Sequence, residues 1–166
     1  MLVEMKVTGL TIDPFTNMPI IILKDLDEKS ALPIWIGLIE ASAIATELEK
    51  IKLARPMTHD LMKNILVSLN VSVEKVEVND LADNTFFARI FLKHQNEEHI
   101  IDSRPSDAIA LALRVGAPIF VDRKVIEKSR QIDLSREGKE GEKGEKEKWA
   151  EFLENLNPED FGKYKM

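Results

Sequence analysis

The stretch Ile100-Ile101-Asp102-Ser103-Arg104-Pro105-Ser106-Asp107-Ala108-Ile109-Ala110-Leu111-Ala112 constrains the fold of this chain more than any other. An apolar strand end runs into a polar turn, and the turn runs into a helix with no polar side chain from Ala108 to Leu113. Such a helix is expected to be buried on most sides. Pro105 has a fixed φ and no N–H, which suits the first helical position. Asp107 falls in the first turn, where a carboxylate meets the positive end of the helix dipole. Asp102, Arg104 and Asp107 are therefore held at the mouth of a core helix, and the chemistry is expected there.

An earlier stretch, Arg55-Pro56-Met57-Thr58-His59-Asp60-Leu61, echoes this one. An Arg-Pro pair again precedes a helix with an aspartate in its first turn, and Thr58 is a good N-cap residue. The two predict a pair of similar strand-to-helix units whose polar ends face one cleft. The plainer reading is that each proline and aspartate simply starts a helix.

The 166 residues suit one domain with a small appendage, and 44% hydrophobic content is ample for a core. The net charge of −6 leaves no broad basic face for nucleic acid, although local clusters still suit phosphates. The absence of cysteine excludes disulfides, thiolate catalysis and Cys-type zinc sites. The start, Met1-Leu2-Val3-Glu4-Met5-Lys6, does not read as a signal peptide, and no stretch reaches the roughly 20 apolar residues of a membrane span. A soluble cytoplasmic protein is expected, with no membrane partner.

Along the chain, Leu2 to Ile12 and Met18 to Leu23 read as a hairpin around Asp13-Pro14-Phe15-Thr16-Asn17. Leu32-Pro33-Ile34-Trp35-Ile36 is a short strand whose proline argues for an edge or a strand start. Glu40 to Lys52 is helical, with Ile44, Leu48 and Ile51 on one face, and Thr58 opens a second helix. Val71 and Val73 are out of phase with Val76 and Val78, which predicts a bulge near Glu74-Lys75. Thr85 to Leu92 and Glu98 to Asp102 form a hairpin. Gly116 ends the core helix, a strand follows at Pro118-Ile119-Phe120-Val121, and Asp122 to Lys128 is a short helix.

The domain is drawn at 1–131. Residues 132–148 are a charged Gly/Glu/Lys linker, and 149–166 hold a short amphipathic helix with Trp149, Phe152, Leu153 and Leu156 on one face. The fold class is α+β, a compact mixed-sheet domain with two similar Arg-Pro units. Small-residue helix faces, the edge-like strand and the tethered apolar helix suit a homodimer or higher symmetric oligomer.

The combination of Leu32-Pro33-Ile34-Trp35-Ile36-Gly37 with Glu40-Ala41, Arg55-Pro56-Met57-Thr58-His59-Asp60-Leu61, Asp80-Leu81 with Thr85-Phe86-Phe87-Ala88, and Asp102 to Ala112 resembles the bifunctional nuclease family. The resemblance spans roughly residues 2–130. It implies an α+β domain of a kind whose plant members are associated with cleavage of both RNA and DNA, so nucleic acid is the implied substrate. Chemistry then suggests roles. Asp60, Asp102 and Asp107 are candidate ligands for Mg²⁺ or Mn²⁺, and no organic cofactor is expected. His59, Asp60, Asp102 and Asp107 are the candidate catalytic residues, with His59 as ligand or general base. Arg55 and Arg104 can grip phosphate oxygens, and Ser106 adds a donor.

Each residue also has a structural reading. His59 can simply bond a neighbouring carboxylate, while Arg104–Asp107 or Arg55–Asp102 can serve as buried ion pairs. His94 and His99 are assigned no role, and Trp35, Phe86 and Phe87 read as core rather than as base-stacking platforms. The alternative function is a non-catalytic domain that binds a protein or a small anionic ligand.

Overall fold

A computed structural model describes residues 1–134, with side chains through residue 130. Of the linker expected at 132–148, residues 132–134 are helical instead, and the rest of it, with the amphipathic helix and tail expected at 149–166, lies outside the described residues. Within them, four helices pack on one seven-stranded mixed sheet, so the α+β class holds. No described helix is long and apolar enough to cross a membrane.

The sheet is two antiparallel meanders stitched together by one late strand. The first consists of β1 (Leu2–Ile12), β2 (Pro19–Asp25) and β3 (Ala31–Trp35). The second consists of β4 (Ser72–Ala82), β5 (Thr85–His94) and β6 (Glu97–Ser103). Strand β7 (Ile119–Asp122) lies between them, antiparallel to β1 and parallel to β4, giving the order β3-β2-β1-β7-β4-β5-β6. Its alternate residues Ile119 and Val121 meet Val76 and Val78, all buried, which fixes the register, because a one-residue slip would turn them to the other face.

Pro33 sits on edge strand β3, where a missing N–H costs no ladder bond. The register of β4 against β5 shifts between Val73 and Lys75, at the predicted bulge, and again between Val78 and Asp80. Asp83 and Asn84, both with positive φ, make the tight β4–β5 turn.

Helix α3 (Pro105–Val115) is the buried centre of the fold. Only Asp107, Leu113 and Val115 fall short of full burial, and Gly116 ends the helix with φ 72°. Burial of Ile109 and Leu111 contributes about 1.5–3 kcal/mol each. Helix α3 packs on β4, β5, α1 (Leu38–Leu48) and α2 (Thr58–Ser68). Helix α4 (Arg123–Leu134) touches both β3 and β4, which are far apart in the strand order, so the sheet curls.

Three elements differ from expectation. Helix α1 stops at Leu48 rather than Lys52, because Lys50 turns left-handed at φ 54° and leaves Ile51 exposed. Helix α4 runs on to Leu134 rather than stopping at Lys128. Arg55-Pro56 lies in the loop between α1 and α2 with no strand before it, so the two Arg-Pro segments are not two similar strand-to-helix units.

Candidate active site

Three helix N-termini converge on one cleft of about 430 Å³. Each places an ionisable side chain in its first turn: Glu40 on α1, His59 on α2 and Asp107 on α3. Ile39, Ala43, Leu53 and Met57 make the apolar wall. Converging positive dipole ends favour the charged form of the carboxylates gathered there.

Arg104 and Asp107 tie the cleft together. The Arg104 guanidinium donates from Nε to Asp107 Oδ2 at 2.8 Å, from Nη2 to Asp107 Oδ1 at 3.3 Å, and from Nη1 to Glu40 Oε1 at 2.8 Å. His59 Nε2 lies 3.0 Å from Asp107 Oδ1. Burial alone would raise the Asp107 pKa, but its bonds from Arg104 and His59 outweigh burial and hold it below the usual carboxylate value. Asp107 is thus ionised and can only accept, so the His59 nitrogen facing it carries the proton. In a neutral imidazole so oriented, Nδ1 is the nitrogen that holds the lone pair. The pKa of Arg104 is raised, mainly by its hydrogen bond to Asp107 and then by its bond to Glu40.

Asp60 does different work. Its Oδ2 accepts from Met57 N–H at 3.0 Å, so Met57 rather than Thr58 is the N-cap position and the Asp60 carboxylate supplies the capping bond. Its Oδ1 accepts from Arg114 Nε at 2.7 Å. Burial opposes ionisation of Asp60, but these two partners prevail and lower its pKa. The Arg114 guanidinium also donates to Ala43 O and Ala110 O, both at 2.9 Å, binding α1, α2 and α3 into one block.

The polar ends of the two Arg-Pro segments therefore do share a cleft, through His59 and Asp107. Arg55 is exposed and outside it. Asp102 is exposed on β6, opposite Arg89 in the strand register, and also outside it. Arg55–Asp102 is therefore not a buried pair. The three expected metal ligands, Asp60, Asp102 and Asp107, do not converge, and no group of three or more His, Asp or Glu among the described residues is placed to hold a metal ion. Arg114 and Arg104 already take up Asp60 and Asp107, so the residues present do not fit a divalent ion without rearrangement. Ser106 is buried beside Arg104, on the wall of a second hollow. Phe86 is half-buried on that wall and packs against the core as expected, whereas Trp35 is only half-buried there and Phe87 is 41% exposed, so neither of these two is a core side chain.

The model of the bifunctional nuclease domain matches residues 21–133, from within β2 to within α4, and takes in every residue of the cleft. The chain belongs to the bifunctional nuclease domain family. Uncharacterized protein Rv1829 of Mycobacterium tuberculosis is 35% identical over 162 residues, covering 95% of this chain and 97% of the relative. Bifunctional nuclease 1 of Oryza sativa subsp. japonica is 30% identical over 97 residues, covering 57% of this chain and 29% of the relative. Bifunctional nuclease 2 of the same plant is 27% identical over 121 residues, covering 70% and 37%. The chain thus spans about a third of the length of these plant bifunctional nucleases.

In this bifunctional nuclease domain, sequence reasoning gave no role to Glu40, Arg114 or Gly37. Arg114 had a readable signal, since a charge on a buried helix demands a buried partner. Gly37 is not needed for its backbone, whose φ is −77°. Its missing side chain leaves room for the Glu40 carboxylate, which a Cβ at 37 would push aside.

Proposed function

We propose that this domain hydrolyses phosphodiester bonds of RNA or DNA, using His59 as general base and Arg104 as the phosphate ligand. The observation that carries this reading is the His59–Asp107–Arg104 chain of bonds at the mouth of the cleft. Asp107 orients the imidazole and leaves Nδ1 to take a proton from water. As the water oxygen bonds to phosphorus, the bond to the leaving oxygen breaks and the proton passes from His59 to that oxygen. Arg104 neutralises a non-bridging oxygen. The names of the plant relatives agree with this chemistry. A Mg²⁺ or Mn²⁺ ion enters the reading only by displacing Arg104 from Glu40 and Asp107.

The test is hydrolysis of single-stranded RNA and DNA in EDTA, Mg²⁺ or Mn²⁺, with wild type beside His59→Ala and Asp107→Ala purified identically. Loss of the general base is expected to lower the rate by about 100-fold or more with the fold retained. Equal rates in all three proteins would overturn the assignment.

The competing reading is a non-catalytic binding domain. It is favoured by the way Glu40 and Asp107 already neutralise Arg104, and it predicts no turnover under any of these conditions. We also place the protein in the cytoplasm as a homodimer or larger symmetric assembly. A monomeric mass at micromolar concentration would refute the assembly.

A further inference from the structure

The loop between α1 and α2 forms one rim of the cleft, with Leu53 and Met57 on the wall. From Lys50 to Met57 it carries three bases, Lys50, Lys52 and Arg55, and no acid, in a chain whose 29 acids outnumber its 23 bases. Lys50 is paired with Glu47 at 3.7 Å. Lys52 and Arg55 are exposed and have no hydrogen-bond or ion-pair partner among the described residues. We infer that this loop is a track for a polynucleotide backbone, on which Lys52 and Arg55 take phosphates next to the one held at Arg104.

Chain geometry puts both bases at the cleft. Lys52 adjoins Leu53, and Arg55 stands two residues from Leu53 and two from Met57. The Cα of Arg55 is therefore within about 7 Å of both wall residues. Arg104 is the one lysine or arginine among the described residues that line the cleft, so the cleft itself serves a single phosphate. The phosphates on either side of a scissile bond lie outside it, at the rim.

The ligand class follows from the arrangement of the charges. Two exposed cations three residues apart hold a single small anion poorly, because water and salt screen each of them. A ligand with regularly repeated charge meets both at once and releases the counterions condensed on it. The acidic balance of the rest of the chain repels such a ligand elsewhere, which favours this rim. This inference rests on the nucleic-acid reading of the cleft, and its test needs no turnover.

The whole chain is titrated in EDTA with fluorescein-labelled phosphorothioate dodecathymidylate, which resists hydrolysis. Binding is read by fluorescence anisotropy over a series of NaCl concentrations. Lys52→Ala and Arg55→Ala should each reduce the slope of log affinity against log salt by about 0.7, and the double variant by about 1.4. Lys6→Ala removes an equal charge from an exposed position on β1, which contributes nothing to the cleft, and should leave the slope unchanged. An unchanged slope in the double variant, or an equal loss in Lys6→Ala, overturns the track. RNA hydrolysis by the wild type alongside that result leaves the hydrolase reading standing. Reduced slopes in Lys52→Ala and Arg55→Ala with no hydrolysis by the wild type uphold the track and overturn hydrolysis. Equal displacement of the labelled strand by polyglutamate of matched charge overturns nucleic acid as the ligand and assigns the rim to an acidic protein.

Discussion

Replacing Arg114 by alanine should destabilise the domain by about 3–4 kcal/mol. The side chain is 4% exposed and makes a 2.7 Å bond to Asp60 and two 2.9 Å bonds to backbone carbonyls. Removing one partner of a buried ion pair costs about 3–5 kcal/mol, because the other charge is stranded. Here the stranded Asp60 is 37% exposed and keeps its Met57 N–H bond, which places the loss in the lower half of that range. Ala43 O and Ala110 O lie within helices, so the ladder still serves them. Arg114→Met refills the apolar stem and should cost about 1 kcal/mol less. Urea unfolding followed by far-UV circular dichroism is the assay, with Asp60→Asn and the Arg114→Met/Asp60→Asn double variant closing a thermodynamic cycle. A coupling of about 2 kcal/mol is expected. Because His59 precedes Asp60 on the same helix turn, Arg114→Met should also slow hydrolysis. A loss below about 1 kcal/mol in Arg114→Ala, or strictly additive effects in the cycle, would refute the idea that this pair locks α1, α2 and α3 together.

Gly37→Ala should push the Glu40 carboxylate off its position and detach it from Arg104. Arg104 is 63% exposed, so stability should move by less than about 1 kcal/mol while hydrolysis falls, a split read from unfolding and rate measurements on one preparation. Gly116→Ala should cost about 1 kcal/mol by denaturant midpoint, since φ 72° strains any residue with a Cβ although the space there is open. Acid should unfold the domain by protonating Asp13, Asp60 and Asp107. Burial opposes ionisation of all three, yet their hydrogen bonds keep the folded pKa values below the unfolded 3.8. The native state thus binds fewer protons than the unfolded chain, so stability is complete above about pH 5 and is lost as pH falls through the folded values. Asp60→Asn should flatten that acid limb, and a limb of unchanged slope would contradict the assignment.

Much of the architecture is legible in the chain itself because its causes are local. Pro105 and Gly116 delimit α3 by backbone geometry alone, and Pro33 marks an edge because it lacks a donor. The phase change between Val73 and Val76 announces its bulge, since a period of two tolerates no slip. Arg55 and Asp102 misled for the same reason. Both stand beside residues that do reach the cleft, and chain proximity carries no information about which way a side chain finally faces.

The sequence by itself determined that a wholly apolar helix would be buried with charged groups at its mouth, because burial follows from hydrophobic periodicity and capping follows from the first turn. Only the tertiary structure decided which charges meet. Asp60 and Asp107 look alike as first-turn aspartates, yet one is bound to Arg114 and the other to His59 and Arg104. His59 and Asp107 lie 48 residues apart in the chain, and Asp60 and Arg114 54, so both pairs are joined only when α2 packs against α3. Ion pairing between distant residues depends on interhelix geometry, which the late insertion of β7 between two meanders fixes and no local pattern encodes.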